Sequence, residues 1–304
     1  MTHPYMDLHC HSTRSDGKLN IAELVRFYDT EKNVGVLAIT DHDALCPDNL
    51  KEYEDIADGR VTLVRGTEIS ASYDSRDQTK TTAIHIVGLF YRKNAAALQE
   101  LAEYNRILSN EDYVVKTLQK LEQCNMPIGS YESLYRKYDR RLETVDLARE
   151  LSQQWNISID EAYDTYLSVH GAQKAYVPNR MAYPPMSRVV SAILQDGGLP
   201  ILAHPFLYQL TEQELEELIQ DFRTAAGSYP AGVEGWYSRY ADHLREPYFL
   251  HIQKLAQRHG LLLSAGSDFH GNAEEDRLLD VSFPVSIYET LKQAHQAAFP
   301  ETEL

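Results

Sequence analysis

A chain of 304 residues can bury one large α/β core, or a core carrying an inserted unit, without help from disulfides. Its 29 Lys and Arg stand against 45 Asp and Glu, and the formal charge of −16 excludes a broad basic face for duplex nucleic acid, though not an anionic substrate met by local positive charge. The three cysteines, Cys10, Cys46 and Cys124, lack CxxC spacing and read as reduced thiols. With no secretory signal pattern and no run long enough to span a bilayer, the expected location is the cytoplasm.

Short apolar, β-branched runs recur along the chain, separated by segments of helical periodicity, the mark of repeated β–α units. In chain order, strands are expected at 5–9, 34–40, 61–68, 83–91, 199–204, 232–237 and 261–267, seven in all, and helical crossovers imply that they run parallel. Helices are read from Ile21-Ala22-x-Leu24-Val25, Val189-Val190-x-x-Ile193-Leu194 and Leu250-x-Ile252-x-x-Leu255-Ala256. Residues 72–82 read as a polar hairpin or loop. No convincing strand falls between the fourth and fifth. There a helical insertion is expected, with a long amphipathic helix over 98–121, a second over 144–154 and a third over 160–169 capped by Ser158. The expected division is a barrel from 1–104 and 180–304, with 105–179 as a helical, substrate-facing lid.

The apolar runs stop at residues that bind metals. His9 and His11, two apart on a strand, share one face while Cys10 points away. Asp16 follows; further strand ends supply His42, Glu68, His85 and His204, and the last supplies Asp268 and His270. In parallel α/β barrels such ends converge on one rim. Nine ligand-type residues exceed the needs of one tetrahedral zinc, so two or three divalent ions sharing a carboxylate are expected, with Glu68 as the bridge. Imidazole and carboxylate without thiolate suit manganese, iron or zinc. Such ions lower the pKa of bound water from about 15.7 to roughly 7, giving a hydroxide nucleophile, and clamp phosphoryl oxygens. Taken singly, each ligand has a plainer reading: a capped turn for His42, a turn before Pro205 for His204, an N-cap for Asp268. Taken together these fail, because burying six imidazoles and three carboxylates at one rim is costly without a cation. His3, His170, His243, His251, His259 and His295 are read as structural or solvated.

The blocks His9-x-His11 with Asp16-Gly17, Thr40-Asp41-His42-Asp43, Glu68, and Ser267-Asp268-x-His270 resemble the PHP family, the polymerase and histidinol phosphatase group, with His85 and Ala203-His204-Pro205 at its remaining ligand positions. The resemblance covers roughly 1–100 and 185–275 and implies a distorted seven-stranded (β/α) barrel, a trinuclear metal centre and phosphoesterase activity. Tyr176-Val177-Pro178 and Gly232-Val233-Glu234 are similar to the stand-alone branch of nucleoside 3′,5′-bisphosphate phosphatases and oligonucleotide hydrolases, which carry a helical insertion. That branch has Arg-x-His-x-Ala in the insertion, where this chain has Thr144-Val145-Asp146-Leu147-Ala148, so the Arg is missing. Arg140 and Arg141, a turn upstream, are its candidate substitutes. Arg14 is the leading phosphate contact, since a guanidinium fork matches phosphate oxygens; Tyr176 is a further substrate contact, and Lys18, Lys174 and Arg180 are weaker ones.

The expected function is hydrolysis of a phosphate ester of a small nucleotide-like substrate, a nucleoside mono- or bisphosphate or a short oligonucleotide, by metal-hydroxide attack on phosphorus. Asp43 or water would protonate the leaving oxygen, a step open to His270 only if it is released as a ligand. The alternatives are an amidohydrolase-type C–N hydrolase, which commonly adds a lysine bridging its metals, and a non-catalytic interaction domain. No protein partner and no membrane are expected. Trp236-Tyr237-Ser238-Arg239-Tyr240 reads as rim packing ahead of base stacking.

Overall fold

The first strand, Tyr5–Cys10 (β1), is buried from Met6 onward, as an apolar run covered on both faces should be. Val34–Ile39 (β2), Thr62–Asp74 (β3), Thr81–Leu89 (β4), Leu199–Leu202 (β5), Gly232–Tyr237 (β6), Leu262–Gly266 (β7) and Phe283–Pro284 (β8) complete one sheet of order β7-β6-β5-β4-β3-β2-β1-β8. This computed structural model describes residues 3–140, 142–168, 172, 174–177, 183–271 and 280–302. The sheet curls until its ends meet: Asp268 donates its backbone N–H to His9 O at 2.8 Å, and His11 donates to Phe269 O at 2.9 Å. It is a nearly closed (β/α) barrel. Eight strands replace the expected seven because the two-residue β8 pairs antiparallel with β1, too short to show as a pattern.

The expectation of parallel strands throughout needs correction. β1–β2, β2–β3, β5–β6 and β6–β7 are parallel, but β4 runs antiparallel to both β3 and β5. The polar segment 75–80 is a tight hairpin, and a connection of that length can join only antiparallel strands. β4 therefore crosses the rim in the opposite direction to its neighbours. His85 sits at the middle of β4, paired with Ser70, and not at a strand's carboxyl end.

Helices cover the barrel. Ile21–Glu31 begins with a capping box between Asn20 and Glu23, and Met186–Gln195 buries Val189, Val190 and Ile193. Packing divides the chain into two compact units, Met1–Ala102 with Pro184–Leu304, and Glu103–Tyr183. The second unit has its own core, including Val114, Leu121, Leu147 and Leu151. The helix expected over 98–121 is interrupted by a π-helical turn, Asn105–Ser109, between Ala96–Tyr104 and Asn110–Gln123. A further helix, Tyr131–Tyr138, was not expected; Ser130 caps it. Thr144–Trp155 forms, and Ser158 caps the short helix Ile159–Ala162, which runs into a second π-helical turn, Tyr163–Leu167.

Candidate metal centre

Glu68 stands at the middle of the rim, fully buried halfway along β3. Its Oε2 lies 3.2 Å from His9 Nε2, 3.3 Å from His11 Nε2 and 3.0 Å from His42 Nδ1. Its Oε1 lies 3.0 Å from both His85 Nδ1 and His204 Nε2. The carboxylate thus faces five imidazoles from four segments. Asp268 Oδ1 closes one side, 3.0 Å from His11 Nε2 and 3.4 Å from His9 Nε2. On the outer side Asp16 Oδ1 approaches His270 Nε2 at 3.3 Å and His11 Nδ1 at 3.8 Å. Eight of the nine residues singled out as ligands fall in three overlapping groups: His9, His11, Glu68 and Asp268; His42, Glu68 and His85; His11, Asp16, His42 and His270. The ninth, His204, joins through Glu68 Oε1 alone.

These donors fit cations better than they fit one another. Asp16 Oδ1, Glu68 Oε2 and His85 Nδ1 are buried and lack a hydrogen bond of acceptable geometry, although other donor atoms lie about a contact distance away. Burial pushes the Glu68 carboxyl up, yet His9, His42 and His85 outweigh it and hold it well below its ordinary range; Asp268 is lowered likewise against burial by His270, His11 and His9. Burial opposes charge on His270, but Asp268 and Asp16 raise it to about 9. The carboxylate shifts report positive charge on the imidazoles around them, and the His270 shift reports the negative charge of Asp268 and Asp16.

The backbone pays a local strain at this rim. Asp43, His204 and Asp268, none of them glycine, have φ of 48°, 26° and 54°. Two glycines make the close approaches possible: a Cβ on Gly266 would lie 2.2 Å from His9 Cβ, and one on Gly17 2.3 Å from His11 O.

The remaining site candidates lie apart from the cluster's donor groups. Asp43 is spent on Ser70, accepting from its N–H at 3.0 Å and its hydroxyl at 2.9 Å. Arg14 is exposed and donates to Leu45 O at 2.8 Å. Arg140 forks onto Asp146 at 2.8 and 3.0 Å, and Tyr176 is half-buried with its carbonyl accepting from Lys120. Arg141 and Arg180 lie outside the described residues.

The parts played by three further residues were not foreseen. Glu234 accepts from His9 Nδ1 at 2.7 Å and from His204 N–H at 2.6 Å. Asp7 ties β1 to the rim through Ser267 N–H, Ser267 hydroxyl, Tyr28 hydroxyl and His9 N–H; burial raises its carboxyl to about 6. Asp41 accepts from Ser12 N–H and from the hydroxyls of Ser12 and Ser15, shaping the loop that carries Asp16. The signal for Glu234 and Asp7 was a charge inside an otherwise apolar strand, which must be paired to be buried. The aromatic run packs as expected: Trp236 stacks on Phe249, Tyr237 donates to Asp268 Oδ2 at 2.6 Å, and Tyr240 OH accepts from Phe206 N–H. Arg239, between them, is exposed and donates to Asp268 O at 3.3 Å.

No family model matches the chain. A 5′-3′ exoribonuclease of Haemophilus influenzae is 33% identical over 273 residues, covering 89% of this chain and 91% of that protein. The chain belongs to the PHP family of metal-dependent phosphoesterases. A second PHP relative, a 3′,5′-nucleoside bisphosphate phosphatase of Chromobacterium violaceum, is 29% identical over 279 residues, 90% of this chain and 89% of its own. Among solved structures, one from Chromobacterium violaceum described as an amidohydrolase with bound sulfate and no metal superposes with a TM-score of 0.73 at 26% identity, over 95% of this chain and 96% of that one. The PHP chain is a hydrolase of phosphate esters. The C–N hydrolase alternative gives way to the phosphate-ester hydrolases among the relatives. Among the described residues, no helix is long and apolar enough to cross a membrane.

Proposed function

We propose that this phosphoesterase releases phosphate from a small ribonucleotide bearing more than one phosphate, a nucleoside bisphosphate, through a centre of two or three manganese, iron or zinc ions. The observation that carries it is the buried Glu68 carboxylate, both of whose oxygens face imidazoles from different strands. When bound, the ions supply a water of lowered pKa and polarise the phosphoryl oxygens. His9, His11, His42, His85, His204, His270, Asp16, Glu68 and Asp268 hold them. Asp43 orients the loop after β2 by binding Ser70, and solvent water protonates the leaving oxygen. Arg14 and Arg239, exposed on segments that carry ligands, take the phosphate not being cleaved; Arg140, committed to Asp146, is replaced in that part by Arg239. A cytoplasmic location belongs to the same reading and rests on the three unpaired cysteines.

A second reading, removal of nucleotides from a 5′-phosphorylated RNA end, is favoured by the exoribonuclease relative at 33% identity. Manganese-loaded protein offered a nucleoside 3′,5′-bisphosphate, a 5′-phosphorylated oligoribonucleotide, an aryl phosphate and an amide and lactone panel separates them. Inorganic phosphate from the first supports the proposal, and mononucleotides from the second support the alternative. Turnover of the amide or lactone panel alone would sink both. Arg239→Ala is expected to raise KM about tenfold with kcat and metal content nearly unchanged, the size of one charge-assisted hydrogen bond; an unchanged KM removes Arg239 from the substrate.

A further inference from the structure

Glu68 is one of two carboxylates that hold the same pair of residues. In front, Glu68 faces His9 Nε2 with Oε2 and His204 Nε2 with Oε1. Behind them lies Glu234 of β6, only 2% exposed, with Oε1 2.7 Å from His9 Nδ1 and Oε2 2.6 Å from His204 N. His9 belongs with His11 and Asp268 on one side of Glu68, and His204 stands with His85 on the other. We propose that Glu234 is a positioning residue that couples the two sides of the metal centre, fixing the ring of His9 and the backbone of His204 at once.

Three physical consequences support this. A carboxylate only accepts, so His9 carries its proton on Nδ1 and presents the Nε2 lone pair to the side where Glu68 and Asp268 lie. His204 has φ of 26° and precedes Pro205, a backbone with few alternatives of its own, and the bond to Glu234 Oε2 holds it there. Room for this arrangement comes from Gly266, where a Cβ would lie 3.1 Å from Glu234 Oε1 as well as against His9.

Glu234→Gln tests it, because an amide has the shape of the carboxylate but only one accepting end. Whichever way it turns, either His9 Nδ1–H or His204 N–H faces an NH2 group. Metal-free protein is titrated with manganese against a competing chelator, and the stepwise constants are compared with those of the wild type. At least one step should weaken about tenfold or more, the usual effect of losing an outer partner of a ligand, while at least one step stays within twofold, because the His11, Asp16, His42 and His270 group does not touch Glu234. Every step within twofold of wild type overturns the proposal, and so does an equal loss at every step, which marks a scaffolding role. Should the variant not fold, long-range 1H–15N NMR of zinc-loaded wild type reads the His9 tautomer directly: a proton on Nδ1 supports the proposal and one on Nε2 overturns it. The inference rests on the rim holding cations; wild type that binds none would refute that reading itself, an outcome distinct from a silent Glu234→Gln.

Discussion

Glu68 in the barrel and Asp146 in the helical unit are both fully buried carboxylates, and they are satisfied in opposite ways. Asp146 takes a guanidinium fork from Arg140, a third bond from Arg149 at 2.8 Å and the Glu143 N–H at 2.9 Å, all from its own unit. Its charge is answered by fixed cations of the chain. Glu68 is ringed by imidazoles, with Asp268 and Asp16 adding further negative charge nearby, and one of its oxygens lacks a proper hydrogen bond. A buried acid closed by arginine is scaffolding, whereas one closed by lone-pair donors is a place for a metal ion.

Four changes test that contrast. Asp268→Ala should cut manganese-supported phosphate release by more than about a hundredfold, beyond what outer partners give, with far-UV circular dichroism retained; an unchanged rate would place the chemistry elsewhere. Asp146→Ala strands two arginines and should destabilise the helical unit by about 3 kcal/mol in urea titration, with metal content unchanged. Loss of metal from a folded Asp146→Ala protein would break the distinction. Gly266→Ala replaces no ligand, but its methyl would press on His9 and should weaken manganese binding about tenfold in chelator competition.

The smallest effect belongs to a third carboxylate, Asp29. Arg60 donates to it at 2.9 and 2.6 Å and His3 lies at 2.8 Å, and together they lower its carboxyl from 3.8 to about 2. Because the folded value is depressed, the stabilisation is complete above about pH 4 and disappears as pH falls toward 2. Arg60 is well exposed, so screening holds the gain to about 1 kcal/mol or less. Asp29→Asn should flatten the acid limb of a melting-temperature profile between those pH values, and an unaltered limb would show that this pair carries no net stability.

The ligand set was legible because each of its members ends or interrupts an apolar run, and polar residues there have few reasons to exist apart from a site. His9, His11, Asp16 and Asp268 lie at such breaks, and so do His42, His204 and His270. Less legible was anything dependent on what lies opposite. Arg140 and Asp146 are six residues apart with nothing in their spacing to say that one consumes the other. Glu234 was noticed as part of a motif, but its role depends on His9, 225 residues away.

By itself, then, the sequence determined that strands alternate with helices, that a helical stretch interrupts them, and that imidazoles and carboxylates punctuate the apolar runs, since periodicity and local composition encode all three; that Glu68 and His85 lie midway along their strands came from the structure. Only the tertiary structure decided that β4 runs antiparallel, that β8 adds an eighth strand, and that Glu234 stands behind two ligands. Each of these is a pairing between segments distant in the chain, and such pairings are set by closure of the barrel and by burial of charge, which no local pattern records.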